Sequence, residues 1–233
     1  MDFTSKKIIL FDLDGTLTDS GEGIINSLKY TLTAYGINDY DEKTLNKFIG
    51  PPLIESLMEI FGFDELKARE AVEKYREYFR EIGILENRLY NGIELLLKSL
   101  VIDERKIILA TSKAEVFAVR ILEHFNISHY FWVVAGSELD GTRIKKSEVI
   151  RFALDKAGIV ELSSVVMIGD RKHDILGAKE IGIDSIGVLY GYGNYEELEN
   201  AGASMIVETV EELQKALLVN QYINPPSEMG RIE

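Results

Sequence analysis

The sequence predicts an α/β fold, in which a doubly wound and mostly parallel sheet carries an inserted all-helical segment. Short apolar runs of strand length alternate with segments of helical periodicity along most of the chain. The first run, Ile8–Phe11, is followed by a long stretch, 20–83, with helical periodicity alone. Two of the apolar runs end at aspartates, and open α/β sheets bind their ligands at the carboxyl ends of their strands.

Composition and charge narrow the class of protein. The 233 residues, of which 46% are apolar, can bury one large core or two smaller ones. The chain shows neither a run long enough to span a bilayer nor a signal peptide, so we expect a cytoplasmic protein that does not bind a membrane. With no cysteine there is no thiolate metal site. The net charge of −13 excludes nucleic acid as an expected partner, and it requires a metal and a few cations wherever a phosphorylated metabolite binds.

The first strand, Ile8–Phe11, leads into a pair of aspartates. Asp12 and Asp14 are one residue apart, and Gly15 ends the strand directly after them. Two carboxylates this close repel each other unless one is protonated or a cation lies between them. Oxygen ligands favour a hard cation such as Mg²⁺. The alternative is a capped turn at Asp14-Gly15 without chemistry.

The helical stretch after the first strand predicts a lid. Ser20 or Asp19 can cap its first helix, and Asp64 begins a long helix that Gly83 ends. An insert at this point lies over the carboxyl end of the sheet, where it can exclude water and shape a pocket. The charged side chains of the long helix, among them Arg76, are interpreted as solvated surface.

A turn inside the insert has two possible interpretations. Gly50-Pro51-Pro52 interrupts the helical pattern, and a helix-breaking turn is the favoured explanation. A loop that faces the active site is the functional alternative.

The second apolar run of the sheet, Lys106–Lys113, ends in small hydroxyl side chains. Thr111 and Ser112, followed by a helix, can hold a phosphate oxygen through a hydroxyl and free backbone N–H groups. A helix cap is the alternative. After the next helix, a strand is predicted over Phe131–Ala135. His124 and His129 have no carboxylates at metal-ligand spacing around them, so they are interpreted as structural.

A pair of lysines, Lys145 and Lys146, opens the following helix. A lysine at this end is unfavourable for the helix dipole, which suggests that one of them is kept for another purpose. The next strand, Ser164–Asp170, again ends at a carboxylate, and Asp174 follows at the start of a helix. Arg171, Lys172 and His173, which lie between these aspartates, are interpreted as an exposed basic loop.

Two further strands and two further helices complete the sheet. The strands are predicted at Ser185–Tyr190 and Met205–Val207, and the helices at Glu196–Ala201 and Val210–Leu218. The tail, 221–233, is predicted to be loosely held.

The motifs at Asp12, Thr111, Lys146 and Asp170 occur in the order that characterises the haloacid dehalogenase superfamily. The chain resembles that superfamily from Lys7 to Leu218, and its nearest likeness is the phosphoglycolate-phosphatase-like branch with a small helical cap. The resemblance implies a Rossmann-like catalytic core, 1–18 and 85–220, and a cap, 19–84.

The same resemblance implies a role for each site residue. Asp12 is the nucleophile and forms an aspartyl-phosphate, while Asp14 is the general acid and base. The phosphate ligands are the Thr111 hydroxyl, the Ser112 amide and a lysine. That lysine is Lys145 or Lys146, and the Lys-x-Glu-Val-Ile pattern of relatives favours the second. Mg²⁺ is held by Asp12, the backbone carbonyl of Asp14 and Asp170, with Asp174 in support.

The function implied is a Mg²⁺-dependent phosphatase for a small phosphorylated metabolite. Phosphoglycolate, nucleoside monophosphates and sugar phosphates all stay open as substrates, and no oligomeric state is predicted. A phosphomutase with the same aspartates is the alternative activity. A non-catalytic binding protein on the same fold is the third hypothesis.

Overall fold

The central feature of the fold is a parallel sheet of six strands in the order β5-β4-β1-β6-β7-β8. The computed structural model describes residues 2–219, so the predicted loose tail, 221–233, lies outside the described residues. In chain order the strands are β1 Ile8–Phe11, β2 Thr18–Asp19, β3 Arg88–Leu89, β4 Lys106–Ala114, β5 Phe131–Ser137, β6 Val165–Gly169, β7 Asp184–Val188 and β8 Met205–Val207. The predicted α/β class and its parallel sheet are confirmed.

Strand β1 lies at the centre of the sheet, and its side chains alternate between two apolar layers. Leu10 lies opposite Ile108 on β4 and Met167 on β6. Ile9 and Phe11 belong to the core on one face, and Leu10 belongs to the core on the other. Because helices cover both faces, every position of this strand can be apolar, which explains its continuous hydrophobic run.

Ten α-helices surround and cover the sheet within the described residues. They are α1 Gly21–Ala34, α2 Glu42–Asn46, α3 Leu53–Phe61, α4 Glu65–Tyr78, α5 Ile93–Ile102, α6 Glu115–His124, α7 Lys146–Lys156, α8 Lys172–Ile181, α9 Tyr195–Ala201 and α10 Val210–Leu217. No helix in residues 2–219 is long and apolar enough to cross a membrane.

The helical insert, 19–84, contains α1 to α4 and a π-helical turn, Phe79–Gly83. It has an apolar core of its own, which includes Leu28, Leu57 and Phe63. The helix start predicted at Asp64 is correct, since its carboxylate caps α4 by accepting the amide of Lys67 at 2.8 Å. The carboxylate of Asp41 caps α2 in the same way by accepting the amide of Thr44 at 2.7 Å.

The first helix of the insert is capped in a way that the sequence did not predict. Ser20 lies at the N-cap position of α1 but makes no capping hydrogen bond through its side chain. The amide of Gly21 donates instead to the hydroxyl of Tyr192, far along the chain, at 2.7 Å.

A short antiparallel ribbon joins the insert to the sheet. Strands β2 and β3 pair Thr18 with Leu89 and Asp19 with Arg88, at the two points where the chain leaves the sheet and returns to it. This ribbon leaves no pattern in the sequence, because strands of two residues each are too short to show a period.

Candidate active site

Three aspartates meet at the carboxyl end of two neighbouring strands. Asp12 follows β1 directly, Asp170 follows β6 directly, and Asp174 lies in the first turn of α8. All three are buried, and one oxygen of each lies within 4.8 Å of the others. The adjacency of β1 and β6 therefore joins residues that are far apart in the sequence.

Asp14 reaches the same region through a tight turn. The carbonyl of Leu13 accepts the amides of residues 16, 17 and 18, which reverses the chain directly after Asp12. Gly15 has φ of 82°, and a Cβ there would lie 2.2 Å from an oxygen of Asp170. Only glycine fits this position, because it has neither the strain nor the clash of another residue. Gly15 thus allows the turn that carries Asp14 to lie directly against Asp170.

The side chain of Lys146 lies between two of the three aspartates. Its ammonium is 2.8 Å from Asp12 Oδ1 and 2.8 Å from Asp174 Oδ1, and it donates to the carbonyl of Ala110 at 3.1 Å. Burial acts to lower the pKa of Lys146, but the charges of Asp12 and Asp174 outweigh it and the pKa is raised. Lys146 is therefore a permanent cation. Lys145 is exposed at the start of the helix, so the structure brings Lys146 to Asp12.

The aspartate cluster carries more negative charge than the protein neutralises. Burial, and then the charges of Asp174 and Asp12, raise the pKa of Asp170 well above its usual range. Burial is also the first cause that raises the pKa of Asp174 to about 6, against the lowering effect of Lys146. Asp170 Oδ2 accepts the amide of Tyr192 at 2.8 Å, whereas its buried Oδ1 has no hydrogen-bond partner within residues 2–219.

These properties fit a divalent cation. Three buried carboxylates beside one lysine leave an excess of two negative charges when all are ionised. An all-oxygen donor set of this kind suits a hard cation. Asp174 is engaged by Lys146 and also accepts the amide of Arg171 at 3.1 Å. Asp170, with its free oxygen, is therefore the aspartate of the three with the clearest capacity to take a metal.

The end of β4 brings hydroxyl groups to the same edge of the sheet. Thr111 is buried, and its Oγ1 accepts the amide of Lys113 at 3.2 Å. The carbonyl of Ser112 accepts the hydroxyl of Ser137 at 2.9 Å, which joins β4 to β5. Thr111 and Ser112 line the same cavity as Asp12 and Asp14.

Lys113 is a residue of this site that the sequence analysis missed. Its ammonium is 2.9 Å from Asp14 Oδ2 and 4.4 Å from the ring centre of Phe79. Only 9% of its side chain is exposed. The sequence signal was a lysine directly after Thr111-Ser112, at a position where lysines are ordinarily solvated.

The cavity above the aspartates is walled by both the sheet and the helical insert. It encloses about 990 Å³, including the part that is open to solvent. Gly50, Pro51 and Pro52 line it, so their turn faces the site as well as ending a helical pattern. The remaining walls are mostly apolar, from Ile24, Phe48, Leu53, Ile54, Val72, Tyr75, Phe79, Phe117 and Ile144.

Two basic residues differ from their predicted surroundings. Arg76 lines the cavity, with 14% of its side chain exposed and its guanidinium paired with Glu73, so the prediction of solvated surface is wrong for it. Arg171 is not part of an exposed loop either. Its guanidinium donates to the carbonyl of Ile49 and to Glu197, the latter at 2.9 Å.

The two residues after Arg171 differ in exposure. Lys172 is exposed, as predicted, whereas His173 is half-buried. The other two histidines pack against aromatic rings. His124 lies 4.9 Å from the ring centre of Phe125, and His129 lies 4.0 Å from that of Tyr130.

Known proteins with similar sequences identify the family of this chain. Residues 9–188 match the family model of haloacid dehalogenase-like hydrolases. The chain is 50% identical to a 5'-nucleotidase of Pseudomonas aeruginosa, over 82% of this chain and 86% of that protein. It is 38% identical to the tyrosine-protein kinase PtkA of Mycobacterium tuberculosis, over 91% and 73%. It is 28% identical to a phosphoglycolate phosphatase of Colwellia psychrerythraea, over 91% and 97%.

A solved structure gives the same result for the fold. The crystal structure of a predicted phosphatase from Clostridium acetobutylicum superimposes with a TM-score of 0.88. The two chains are 50% identical, and the superposition covers 90% of this chain and 97% of the other.

Proposed function

Because this chain belongs to the haloacid dehalogenase-like hydrolases and is a phosphatase, we propose that it hydrolyses small phosphomonoesters, with Mg²⁺, through an aspartyl-phosphate on Asp12. The observation that carries the proposal is the placement of Asp12 and Asp14 in one cavity, with Lys146 held 2.8 Å from Asp12. In this assignment the helical insert, 19–84, is the cap of a core formed by 1–18 and 85–220.

Asp12 is the nucleophile in this proposal. One of its oxygens forms a bond to phosphorus while the ester P–O bond breaks, and the electron pair of that bond leaves with the ester oxygen. Asp14 gives a proton to the departing oxygen. In the second step Asp14 takes a proton from a water that attacks phosphorus, which releases phosphate and restores Asp12. Two easier steps thereby replace one difficult transfer.

The remaining site residues are assigned to the phosphoryl oxygens and the metal. Lys146, the hydroxyl of Thr111 and the amide of Ser112 bind the phosphoryl oxygens and stabilise the charge that spreads over them. Asp12, Asp170 and the backbone carbonyl of Asp14 would hold Mg²⁺, with Asp174 positioning Lys146. When bound, Mg²⁺ neutralises phosphate charge in a protein whose net charge is −13.

We place nucleoside 5'-monophosphates first among the substrates. A relative that is 50% identical is named a 5'-nucleotidase. In addition, the mostly apolar walls of the cavity offer contact area for a base, which phosphoglycolate would leave uncovered. A sugar phosphate would leave the same walls without apolar contacts.

The test is phosphate release from nucleoside 5'-monophosphates, phosphoglycolate and sugar phosphates, with Mg²⁺ or with EDTA. We expect Mg²⁺-dependent release that is fastest for a nucleotide. Isomerised ester in place of inorganic phosphate would indicate the alternative, a phosphomutase. No turnover of any ester would contradict the proposal.

Replacement of the nucleophile gives the matching prediction. Asp12→Asn keeps the size of the side chain but removes the attacking charge, so we expect turnover to fall by about 10⁴-fold or more. The fold should persist, as checked by circular dichroism. Asp155→Asn, on an exposed position of α7, is the control and should keep full activity. An active and folded Asp12→Asn protein would contradict the assignment.

A further inference from the structure

The two oxygens of Asp14 have different surroundings. Oδ2 lies 2.9 Å from the ammonium of Lys113. Oδ1 is buried and has no hydrogen-bond partner within the described part of the chain, 2–219. A buried polar atom without a partner is costly, and such atoms are commonly kept for a functional contact. One oxygen is therefore engaged by the protein, and the carboxyl group that carries both oxygens belongs to a residue that lines the cavity.

Lys113 is itself held in place by the helical insert. Its ammonium lies over the ring of Phe79, at 4.4 Å from the ring centre. Phe79 begins the π-helical turn, packs on Tyr75 at 5.5 Å and meets the edge of Phe117 at 5.4 Å. Single π-helical turns occur frequently at functional sites. A lysine buried in this way, with one carboxylate and one aromatic face, has little freedom to move away from Asp14.

We propose that Lys113 is a positioning residue for proton transfer by Asp14. It binds Oδ2, which fixes the orientation of the carboxyl group at the wall of the cavity. This inference rests on the proposed function, since it assumes that Asp14 protonates the leaving group. It adds a residue that the family motifs quoted above do not contain.

The chemical step shows why a cation at this point helps. As the ester P–O bond breaks, its electron pair goes to the leaving oxygen, which takes the proton from Asp14. Asp14 is then a carboxylate in a buried site, and the ammonium of Lys113 stabilises that charge. In the second step the attacking water returns a proton to Asp14.

This role predicts a dependence on the leaving group, which an ordinary structural ion pair does not. An alkoxide from a nucleotide needs a proton as it leaves, whereas p-nitrophenolate leaves readily without one. We expect Lys113→Met to lower kcat/KM for a nucleoside 5'-monophosphate by about 10²-fold. For p-nitrophenyl phosphate the same change should stay within about threefold. The ratio kcat/KM is the correct quantity, because it reports the steps up to formation of the aspartyl-phosphate.

Strand β4 offers a matched control. Lys106 lies on the same strand, over the ring of Trp132 at 5.2 Å, and it is exposed. Lys106→Met removes a lysine above an aromatic ring without touching an aspartate, so both substrates should be hydrolysed at the wild-type rate. If Lys113→Met does not fold by circular dichroism, Lys113→Leu, which also removes the donor to Asp14, is measured in its place and interpreted in the same way.

Each outcome decides between the two proposals. A selective loss on the nucleotide supports the positioning role of Lys113. An equal loss on both substrates, or no loss on either, overturns it and leaves the proposed phosphatase activity intact. A wild-type protein that hydrolyses neither ester would refute the proposed function itself, before the variant is considered.

Discussion

At the scale of single residues, the site is controlled by charges that the protein places on largely buried side chains. Lys146 and Lys113 each face one of the two aspartates of the first motif, at 2.8 and 2.9 Å. Arg76 is a third cation at the cavity, on the side of the helical insert. Interactions of charged groups are stronger in such surroundings than in water. Each of these cations is therefore expected to have its own measurable effect.

Arg76 is expected to bind the leaving group of the substrate. Arg76→Met keeps much of the aliphatic length but removes the charged donor, so we expect KM for a nucleotide to rise by about tenfold with little change in kcat. Steady-state kinetics on the nucleotide panel measures both. Arg80→Met is the control, because Arg80 is more exposed and lies near the same partner, Glu73, at 3.9 Å. An unchanged KM in Arg76→Met would contradict this role.

At the scale of elements, the ribbon β2/β3 connects the helical insert to the loop that carries Tyr192, which contacts Asp170. Asp19 on β2 pairs with Arg88 on β3 at 2.6 Å and accepts the hydroxyl of Tyr192 at 2.5 Å. The amide of the same Tyr192 donates to Asp170 at 2.8 Å. One residue, Tyr192, therefore binds both the ribbon and an aspartate of the cluster.

The carboxyl group of Asp19 in the ribbon is expected to make the free energy of unfolding depend on pH. Burial acts to raise the pKa of Asp19, but hydrogen bonds from Tyr192 and Arg88 outweigh it, and the pKa is lowered. A lowered pKa contributes stability above the unfolded value, about 3.9, which is lost as the pH falls through the folded value. We expect wild type to be more stable than Asp19→Asn at neutral pH. This difference should narrow as the pH falls below about 4.

The measurement is the free energy of unfolding by urea for both proteins at several pH values. Because 81% of the Arg88 side chain is exposed, salt should weaken the difference. A difference that stays constant down to low pH would contradict the assignment of this effect to Asp19.

At the scale of the whole molecule, the helical insert and the sheet close on one another around the cavity. Arg171 follows Asp170 in the chain, and its guanidinium donates to the carbonyl of Ile49 in the insert. Glu197 holds the same guanidinium from the other side at 2.9 Å. A residue next to the aspartate cluster thus also joins the two halves, at the turn Gly50-Pro51-Pro52.

Metal binding should stabilise the molecule as a whole. A ligand that binds only the folded state at about 100 times its Kd adds about 2.7 kcal/mol to the free energy of unfolding. For a chain of this length that corresponds to a rise in Tm of roughly 5–10 °C. We expect this rise on adding Mg²⁺ to EDTA-treated protein, as measured by calorimetry.

Removal of one aspartate of the cluster gives the specific control. Asp170→Asn should lose the Mg²⁺-dependent rise in Tm and, without metal, should unfold no earlier than wild type, because like charges no longer repel. Asp140→Asn, in an exposed loop, should keep the full rise. An equal rise in Asp170→Asn would show that the metal binds elsewhere.

The sequence by itself determined the fold class and the order of the candidate site residues. Continuous apolar runs such as Ile8–Phe11 identify buried parallel strands, since both of their faces are covered. Strand ends carry ligands in such sheets, so Asp12, Thr111 and Asp170 could be selected without coordinates. The choice of Lys146 over Lys145 came from a resemblance, and the geometry agrees with it in bringing Lys146 to Asp12.

The tertiary structure alone decided the contacts between distant segments. Lys113 at Asp14, Arg76 at the cavity, Arg171 at Ile49 and Tyr192 at Gly21 all depend on how the helical insert lies against the sheet. Periodicity reports which face of an element is apolar, but it does not report which polar side chain meets which partner. Basic residues therefore look solvated in the sequence, and only packing across the cavity shows that these are covered.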